Sequence, residues 1–335
     1  MRKWMLRLLG MLFTLAAIAA GTGFWALQQT NLLAEQSLAV TQAKELPLER
    51  GVSFRKLGKM LAADALIDYD WRWKLLGKLH PELTQIRSGL YEIKPSDSVT
   101  SLLQRLTSGD EKRFVLTLIE GKTIQEWLQY LQTVPHLHVD NDVFNRVLQA
   151  QGDESNLPEG KFFPDTYQYR ASTTIESILT QSYQKMQQQL DAIWQQRDSD
   201  LPLESPYQLL TLASIIEKET GQESERPTIA AVFVNRLRKG MRLQTDPTVI
   251  YGMGERFDGN IRRQDLREAT PFNTYVIRGL PPTPIAAPGR ESLLAAAHPA
   301  EVKYLYFVSR NDGSHLFSST LAEHNRAVDK YQRNR

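Results

Sequence analysis

The chain has 335 residues, and 40 Lys and Arg stand against 38 Asp and Glu, so the formal net charge is only +2. That length accommodates about two domains besides a short terminal segment. A charge near zero argues against nucleic-acid binding, because no basic excess is present to neutralise phosphates. An apolar share of 41% excludes wholesale disorder, and the absence of cysteine excludes disulfides, thiolate metal sites and a lipid-modified cysteine.

An uncharged, strongly apolar stretch covers residues 8–27. As a helix it would span about 30 Å, the thickness of a bilayer core. Three basic residues lie in the segment 1–7, and the next basic residue after the stretch is Lys44. The positive-inside rule therefore predicts a cytoplasmic tail over 1–7, a transmembrane helix over 8–27, and export of everything that follows.

The alternative for this stretch is a signal peptide that is cleaved after export. Ala17-Ile18-Ala19 has the small-residue pattern of a cleavage site. The apolar run continues past that site to Leu27, which is longer than the apolar region of a usual signal peptide. We therefore favour a permanent single-pass anchor.

The residues after the anchor divide into a polar connector over 28–46, a small subdomain over 47–109 and a larger domain over 110–335. Apolar spacing in the subdomain predicts helices from Val52 and from Trp71, a strand over 90–93, and a helix from Val99 to Gly109.

The larger domain mixes helical and strand patterns. A buried strand is predicted over 114–119, helices from Ile124 and over 175–193, and an ordered proline-rich loop over 280–289. A β-hairpin is predicted from residues 304–308 and 315–317, with a closing helix near Thr320. Helices and strands do not alternate as βαβ units, so the predicted class is α+β.

One predicted helix carries two carboxyl groups at its end. In the segment LLTLASIIEKET (209–220), the apolar residues share one face and place Glu217 and Glu219 on its two shoulders. A carboxyl beside apolar atoms has a raised pKa, which a general acid needs near neutral pH. Periodicity does not choose between the two, and glutamates near helix ends are most often solvated.

Further motifs precede and follow this helix in a fixed order. They are PEGKFFPDTY (158–167), IAAVFVNRLRKGMRLQTDPTVIYG (229–252), FNTYVIRGLPPTPIAAPG (272–289), YLYFV (304–308) and GSHLF (313–317). With the amino-terminal anchor, this order closely resembles the endolytic murein transglycosylase family, the MltG or YceG-like proteins. The resemblance runs from the anchor to about residue 331 and is strongest from Pro158 onward.

The resemblance implies an anchor, a small LysM-like subdomain at 47–109 and a mixed α/β catalytic domain at 110–335. It identifies the first acid of an E-x-E-T segment, here Glu217, as the catalytic residue. The implied enzyme is a lytic transglycosylase that cleaves the MurNAc–GlcNAc bond within nascent peptidoglycan strands. The C6 hydroxyl of MurNAc attacks its own C1 and leaves a 1,6-anhydro end, so one glutamate can serve as both acid and base.

Five polar residues in the matching motifs are predicted to contact the sugars. Gln244, Asp246 and Asn273 lie in turn-rich motifs, and Glu159 and Asp165 lie in the upstream motif. Each acid has a structural alternative. Asp246 precedes a proline and has the sequence of a helix N-cap, while Glu159 and Asp165 have the sequence context to fix a turn.

No metal or other cofactor is predicted. The six histidines are scattered and no HExxH motif occurs. His136 and His138 are assigned to a surface loop. His315 lies in the hairpin, where a hydrogen-bonding structural role is the default and a substrate contact is the alternative.

The predicted partners are peptidoglycan glycan strands and the bacterial inner membrane, which the chain crosses once with its catalytic domain in the periplasm. Peptidoglycan synthases or divisome proteins are further partners that a role in ending nascent strands implies. Two other functions compete: a non-catalytic glycan-binding scaffold of the synthesis machinery, and a hydrolase acting on the same polymer.

Overall fold

The computed structural model describes residues 2–333 and divides into two compact units. The first unit comprises the residues up to 114 together with 170–172, and the second comprises 115–169 and the residues from 173 onward. The whole is a mixed α+β protein in which helices predominate and the sheets have two strands each.

The first unit begins with one long helix, α1 (Arg2–Glu35). Among the described residues it is the one helix long and apolar enough to cross a membrane, and a signal sequence has the same properties. Its last turns differ from the earlier ones, because Thr30 and Leu33 are completely buried in the core of the first unit. The segment predicted as a polar connector therefore starts as a continuation of the apolar helix.

The rest of the first unit folds around that helix end. Its elements are β1 (Lys44–Leu48), α2 (Phe54–Ala63), α3 (Trp71–Leu79), β2 (Gly89–Ile93) and α4 (Val99–Ser108). The two strands are antiparallel, with Lys44 opposite Ile93 and Leu48 opposite Gly89. The predicted helices and strand of the subdomain are thus confirmed, and β1 begins within the predicted connector.

Hydrogen bonds tie the exit of α1 to the start of α4. The Thr100 hydroxyl donates to the Ala34 carbonyl at 2.9 Å, and the Val99 N–H donates to the Gln36 carbonyl at 3.1 Å. The next turn of chain is held in the same way, since the Leu38 N–H donates to the Asp97 carbonyl at 2.9 Å. The chain consequently leaves the apolar helix along a fixed path.

The second unit contains the remaining elements. They are β3 (Arg113–Thr117, which starts in the first unit), α5 (Ile124–Leu131), α6 (Val143–Ala150), β4 (Thr166–Arg170), α7 (Ile175–Gln196), α8 (Pro206–Glu219), α9 (Arg226–Arg238), α10 (Asp246–Met253), α11 (Arg290–Ala297), β5 (Tyr306–Ser309), β6 (His315–Ser318) and α12 (Leu321–Val328). Strand β3 pairs with β4, and β5 pairs with β6 in the antiparallel hairpin that the sequence predicted.

The predicted strand over 114–119 forms, but it is not buried throughout. Val115 is 57% exposed, whereas Leu116 and Leu118 are 1% exposed. A two-stranded sheet can bury one face only, so the side chains alternate between core and solvent.

Helix α8 is the centre of the second unit. All eight residues from Leu209 to Ile216 are buried, and α7, α9, α10 and α11 pack around them. The single apolar face predicted for this segment is wrong, because a helix in contact with neighbours on all sides has no solvent face. Its last turn follows this buried stretch and carries the two glutamates.

The buried carboxylate of Asp97 should stabilise the first unit. It accepts hydrogen bonds from the Arg105 guanidinium and from the Lys94 N–H at 2.7 Å. Burial acts to raise the pKa of Asp97, but these bonds outweigh it and hold the pKa below its usual value. Asp97→Asn should lower the free energy of unfolding at pH 7 by about 3 kcal/mol, because it leaves a largely buried guanidinium unpaired.

Thermal or urea denaturation of the detergent-solubilised chain measures this difference. A folded-state pKa below the unfolded one stabilises the protein above the unfolded pKa, and the gap between wild type and variant should close as the pH falls below about 4. An unfolding midpoint at pH 7 that Asp97→Asn leaves unchanged would contradict this account.

Candidate active site

Glu217 and Glu219 occupy the last turn of α8. Residues two positions apart on a helix are separated by about 200° around its axis, so the side chains of Glu217 and Glu219 point in nearly opposite directions. Each therefore meets different parts of the fold, and their surroundings decide what each can do.

Glu217 lies in a packed cluster of groups that already bind it. Its Oε2 accepts the Gly289 N–H at 3.0 Å, and its Oε1 lies 3.7 Å from Nη2 of Arg226, an ion-pair distance. The Glu217 side chain is 6% exposed and that of Arg226 is 7% exposed. Partial burial and the nearby charge of Glu217 raise the pKa of Glu120, whose carboxyl also faces this cluster.

The cluster fixes the end of the proline-rich loop. A side chain at Gly289 would place its Cβ 1.8 Å from Oε2 of Glu120, so it would displace the Glu120 carboxyl from this cluster. Gly289 directly precedes α11, and the Glu217 carboxylate thereby positions the start of that helix. Glu217 lines neither of the two clefts described below.

Glu219 instead faces a polar cleft of about 570 Å³. The Thr245 hydroxyl donates to its Oε2 at 2.7 Å. Burial raises the pKa of Glu219, and the charge of Asp246 adds to this, against opposing effects of Thr245, His315 and Arg236. A carboxyl whose pKa is raised and that lines a cleft fits a general acid.

Two of the predicted sugar-binding residues line this cleft with Glu219. Gln244 lies on the loop that leads into α10 and Asp246 is the first residue of that helix, and the Tyr275 hydroxyl donates to Oδ1 of Asp246 at 2.7 Å. Gln244 has a φ of 53°, a left-handed conformation that costs energy in a residue other than glycine. Buried hydrogen bonds hold this loop, among them that from the Thr245 N–H to Oγ1 of Thr274 at 3.1 Å.

Asp246 does not cap α10, so that alternative is wrong. The N-cap position belongs to Thr245, Asp246 is the first helical residue, and no side chain caps this helix end. The Thr245 hydroxyl donates to Glu219 instead of accepting from the helix. The Asp246 carboxylate is consequently turned toward Tyr275 and the cleft.

Asn273 is 1% exposed, and its side-chain amide forms hydrogen bonds with the backbone. Its Nδ2 donates to the carbonyls of Asp265 and Glu268 at 3.0 and 2.7 Å, and its Oδ1 accepts the Tyr275 N–H at 3.0 Å. It thus shapes the loop that presents Tyr275. Its predicted contact with sugar stays a prediction.

The structure places Glu159 and Asp165 outside the polar cleft. Glu159 lines a second, more apolar cleft of about 820 Å³, where burial raises its pKa to about 7. It accepts the Tyr251 hydroxyl and the Ile124 N–H, both at 3.2 Å. Asp165 pairs with Lys185 and accepts the N–H of Thr166, in agreement with its alternative role in a turn.

Several cleft residues were not singled out by the sequence. Tyr275 and Arg236 are among them, although Tyr275 lies in the same motif as Asn273. Arg236 is 7% exposed and donates to the carbonyls of Leu305 and Leu243, at 2.6 and 2.7 Å. His315, to which we assigned a structural role by default, also lines the cleft. Within residues 2–333 no group of three or more His, Cys, Asp or Glu could hold a metal ion.

Comparison with known proteins agrees with the order of motifs. A model of the YceG-like family matches residues 46–330. The chain is 34% identical over 267 residues to the endolytic murein transglycosylase of Bacillus subtilis (strain 168), covering 73% of each protein. It is 27% identical over 326 residues to the endolytic murein transglycosylase of Streptococcus pneumoniae serotype 2 (strain D39), covering 85% of this chain and 57% of that protein.

A solved structure shares the fold. The 2.6 Å crystal structure of a yceG-like protein from Listeria monocytogenes matches with a TM-score of 0.53 and 28% identity, over 86% of this chain and 99% of that one. The family match spans both units and includes the helix that carries Glu217 and Glu219. The chain belongs to the YceG-like family.

Proposed function

We propose that this protein is an endolytic lytic transglycosylase that cleaves the MurNAc–GlcNAc bond within peptidoglycan strands, with Glu219 as its proton donor. The names of the relatives support the substrate and the reaction. The observation that carries the assignment of Glu219 is its position in the lining of the polar cleft, where its carboxyl accepts the Thr245 hydroxyl and burial raises its pKa.

The reaction needs one well-placed acid and no activated water. Protonation of the glycosidic oxygen by Glu219 lets the GlcNAc side leave, while charge develops at C1 of MurNAc. The C6 hydroxyl of the same sugar is tethered close to C1, so proximity replaces an enzymic nucleophile. Ring closure gives the 1,6-anhydro end and ends the strand.

Glu219 is preferred to Glu217, the residue to which the family resemblance pointed. Glu217 has a backbone N–H and a guanidinium as partners and lines neither cleft, whereas Glu219 shares its cleft with Gln244 and Asp246.

The site also contains groups suited to hold sugar hydroxyls. Gln244 and Asp246 supply amide and carboxylate, and Tyr275 fixes Asp246 through its 2.7 Å hydrogen bond. We assign substrate contacts to Gln244 and Asp246 on this basis. The contacts proposed for Asn273, Glu159 and Asp165 have no comparable support, since these residues lie outside the polar cleft.

We further propose that α1 is a permanent anchor in the bacterial inner membrane, with the amino terminus in the cytoplasm and the second unit in the periplasm. The continuity of α1 into the core of the first unit supports an anchor over a removable signal. The LysM-like character of residues 47–109, and contacts with peptidoglycan synthases or divisome proteins, stay predictions.

The two glutamates give the sharpest test. Glu219→Gln keeps the hydrogen bond to Thr245 but has no proton to transfer, so the rate of anhydro-end formation should fall by about 10³-fold. Glu217→Gln is the matched control on the same helix turn. It should lower the thermal midpoint by several degrees, because it weakens the partnership with Arg226, while kcat stays within about threefold of wild type.

Mass spectrometry of products from purified glycan strands measures both variants. A normal rate for Glu219→Gln together with a large loss for Glu217→Gln would return the catalytic role to Glu217. Products that have gained water would identify a hydrolase. A wild-type protein that binds strands without cutting them would be the non-catalytic scaffold.

The pH dependence should follow the protonation of Glu219. A general acid works in its protonated form, so kcat should fall as the pH rises through the pKa of Glu219. Because burial raises that pKa, the fall should begin above the range of an ordinary glutamate, about 4.3. A rate that already declines between pH 4 and 5 would speak against a raised pKa.

Anchor retention is tested on the mature protein. Intact-mass analysis of the membrane-extracted protein should show that residues 8–27 are still attached, and carbonate washing should leave the protein in the membrane. A mature chain that begins near residue 20 would establish a cleaved signal peptide instead.

A further inference from the structure

His315 is held rigidly beside Glu219 in the polar cleft. Its Nδ1 lies 2.7 Å from Oε2 of Glu225, and its backbone N–H donates to Oε1 of the same carboxylate at 2.9 Å. Both side chains are 13% exposed. The Phe307 ring packs edge-on against the imidazole, with centroids 5.4 Å apart and an interplanar angle of 87°. The Glu225 carboxylate, the backbone hydrogen bond and the Phe307 ring together restrict the imidazole to one orientation.

This arrangement fixes the tautomer of a neutral imidazole. A carboxylate can only accept, so Nδ1 must carry the proton that it shares with Glu225. The lone pair then resides on Nε2, and no group among the described residues forms a hydrogen bond with that atom. His315 lines the same cleft as Glu219.

We infer that His315, oriented by Glu225, is the catalytic base that removes the proton from the C6 hydroxyl of MurNAc. This inference rests on the proposed transglycosylase function and divides between two residues the acid and base roles that one glutamate could fill. The cleft would thus hold a proton donor and a lone-pair acceptor at the same time.

The proposed cleavage step is balanced in bonds and protons. The bond between C1 and the glycosidic oxygen breaks, and that oxygen takes the proton of Glu219. The bond between O6 and C1 forms, and the hydroxyl proton passes to Nε2 of His315. The cycle ends with a carboxylate and an imidazolium in one cleft, and transfer of one proton between them, through solvent in the emptied cleft, restores the starting state.

Other titratable and charged groups around the cleft contribute to any pH profile. They come from the end of α8, the turn before α9, α9 itself, the start of α10, the segment before the proline-rich loop, β5 and α12: Glu219, Glu225, Arg236, Asp246, Tyr275, Tyr306 and His324. Among them, the Glu225 carboxylate is in direct contact with His315. We therefore compare the pH–rate profiles of the variants with that of wild type and do not interpret a single profile alone.

A purely structural role is the rival explanation, since the pair also joins β6 to the turn over Glu223–Glu225. The chain offers a matched control for that role. His298 and Asp198 form a second histidine–carboxylate pair at 2.7 Å, with both side chains 43% exposed and away from the cleft. Loss of the His298–Asp198 pair removes the same kind of contact without altering the polar cleft.

Glu225→Gln separates the two roles with little change in shape. The amide oxygen can still accept the His315 backbone N–H, while the amide NH₂ now faces Nδ1 as a donor. That donor forces the proton onto Nε2 and removes the lone pair from the cleft. Packing is retained, but the base is lost.

The experiment compares the full-length, detergent-solubilised variants His315→Gln, Glu225→Gln, the double variant and His298→Gln on purified glycan strands. We expect kcat to fall by about 10²-fold or more in the first two, with KM within about threefold of wild type. The double variant should be no slower than His315→Gln, because both changes remove one function. His298→Gln should match wild type.

The pH profile adds a readout that a structural role would not move. The pH–rate profile of His315→Gln should differ in shape from that of wild type, whereas the profile of His298→Gln should superimpose on it. Normal kcat in Glu225→Gln and His315→Gln, beside a wild type that makes anhydro ends and a dead Glu219→Gln, would overturn the assignment of His315 alone. A loss of activity that is confined to KM, or that matches a loss of folded protein, would also overturn the assignment of His315. Absence of anhydro ends from wild type would overturn the proposed function itself.

Discussion

The burial of α8 on every side is the constraint on which the site depends. From Leu209 to Ile216 the helix has no solvent face, so it must end inside the second unit or at a cleft. Its last turn brings two carboxyl groups into surroundings of low solvent access, where an unpaired charge is expensive. The fold lowers the free-energy cost of these two carboxyl groups in two ways. Glu217 gains a cation and a backbone N–H, and Glu219 receives one hydroxyl and has a raised pKa.

The turn before α9 and α9 itself supply partners to both sides of that helix end. Glu225 and Arg226 are neighbours in sequence, yet Glu225 orients His315 in the cleft and Arg226 faces Glu217 in the buried cluster. One helical turn after the midpoint of α9, Arg236 binds the backbone of the loop before α10 and of the chain entering β5. The cleft therefore depends on α9 and the turn before it, through the contact of Glu225 with His315 and the hydrogen bonds of Arg236 to backbone carbonyls.

Local patterns in the sequence predicted the elements well and the site only in part. The hairpin of β5 and β6 and the helices of the first unit follow from residue spacing, because these elements bury faces of regular period. The choice between Glu217 and Glu219 depends on Gly289, Thr245 and His315, which lie 26 to about 100 residues further along the chain. No helical period contains that information. The alternative of an N-cap at Asp246 was wrong by one residue, and the hydroxyl of Thr245 at the N-cap position donates to Glu219, 26 residues earlier in the chain.

The first unit shows how an apolar helix can do more than attach a domain. Thr30 and Leu33 belong both to α1 and to the core of the unit, and the hydrogen bonds of Ala34 and Gln36 with the start of α4 fix the path of the chain. A flexible linker of the same length would let the unit sample many orientations. A helix whose end is part of the folded core removes that freedom. If α1 spans the inner membrane as proposed, the orientation of the first unit to the bilayer is set by packing, and the anchor restricts direction as well as distance.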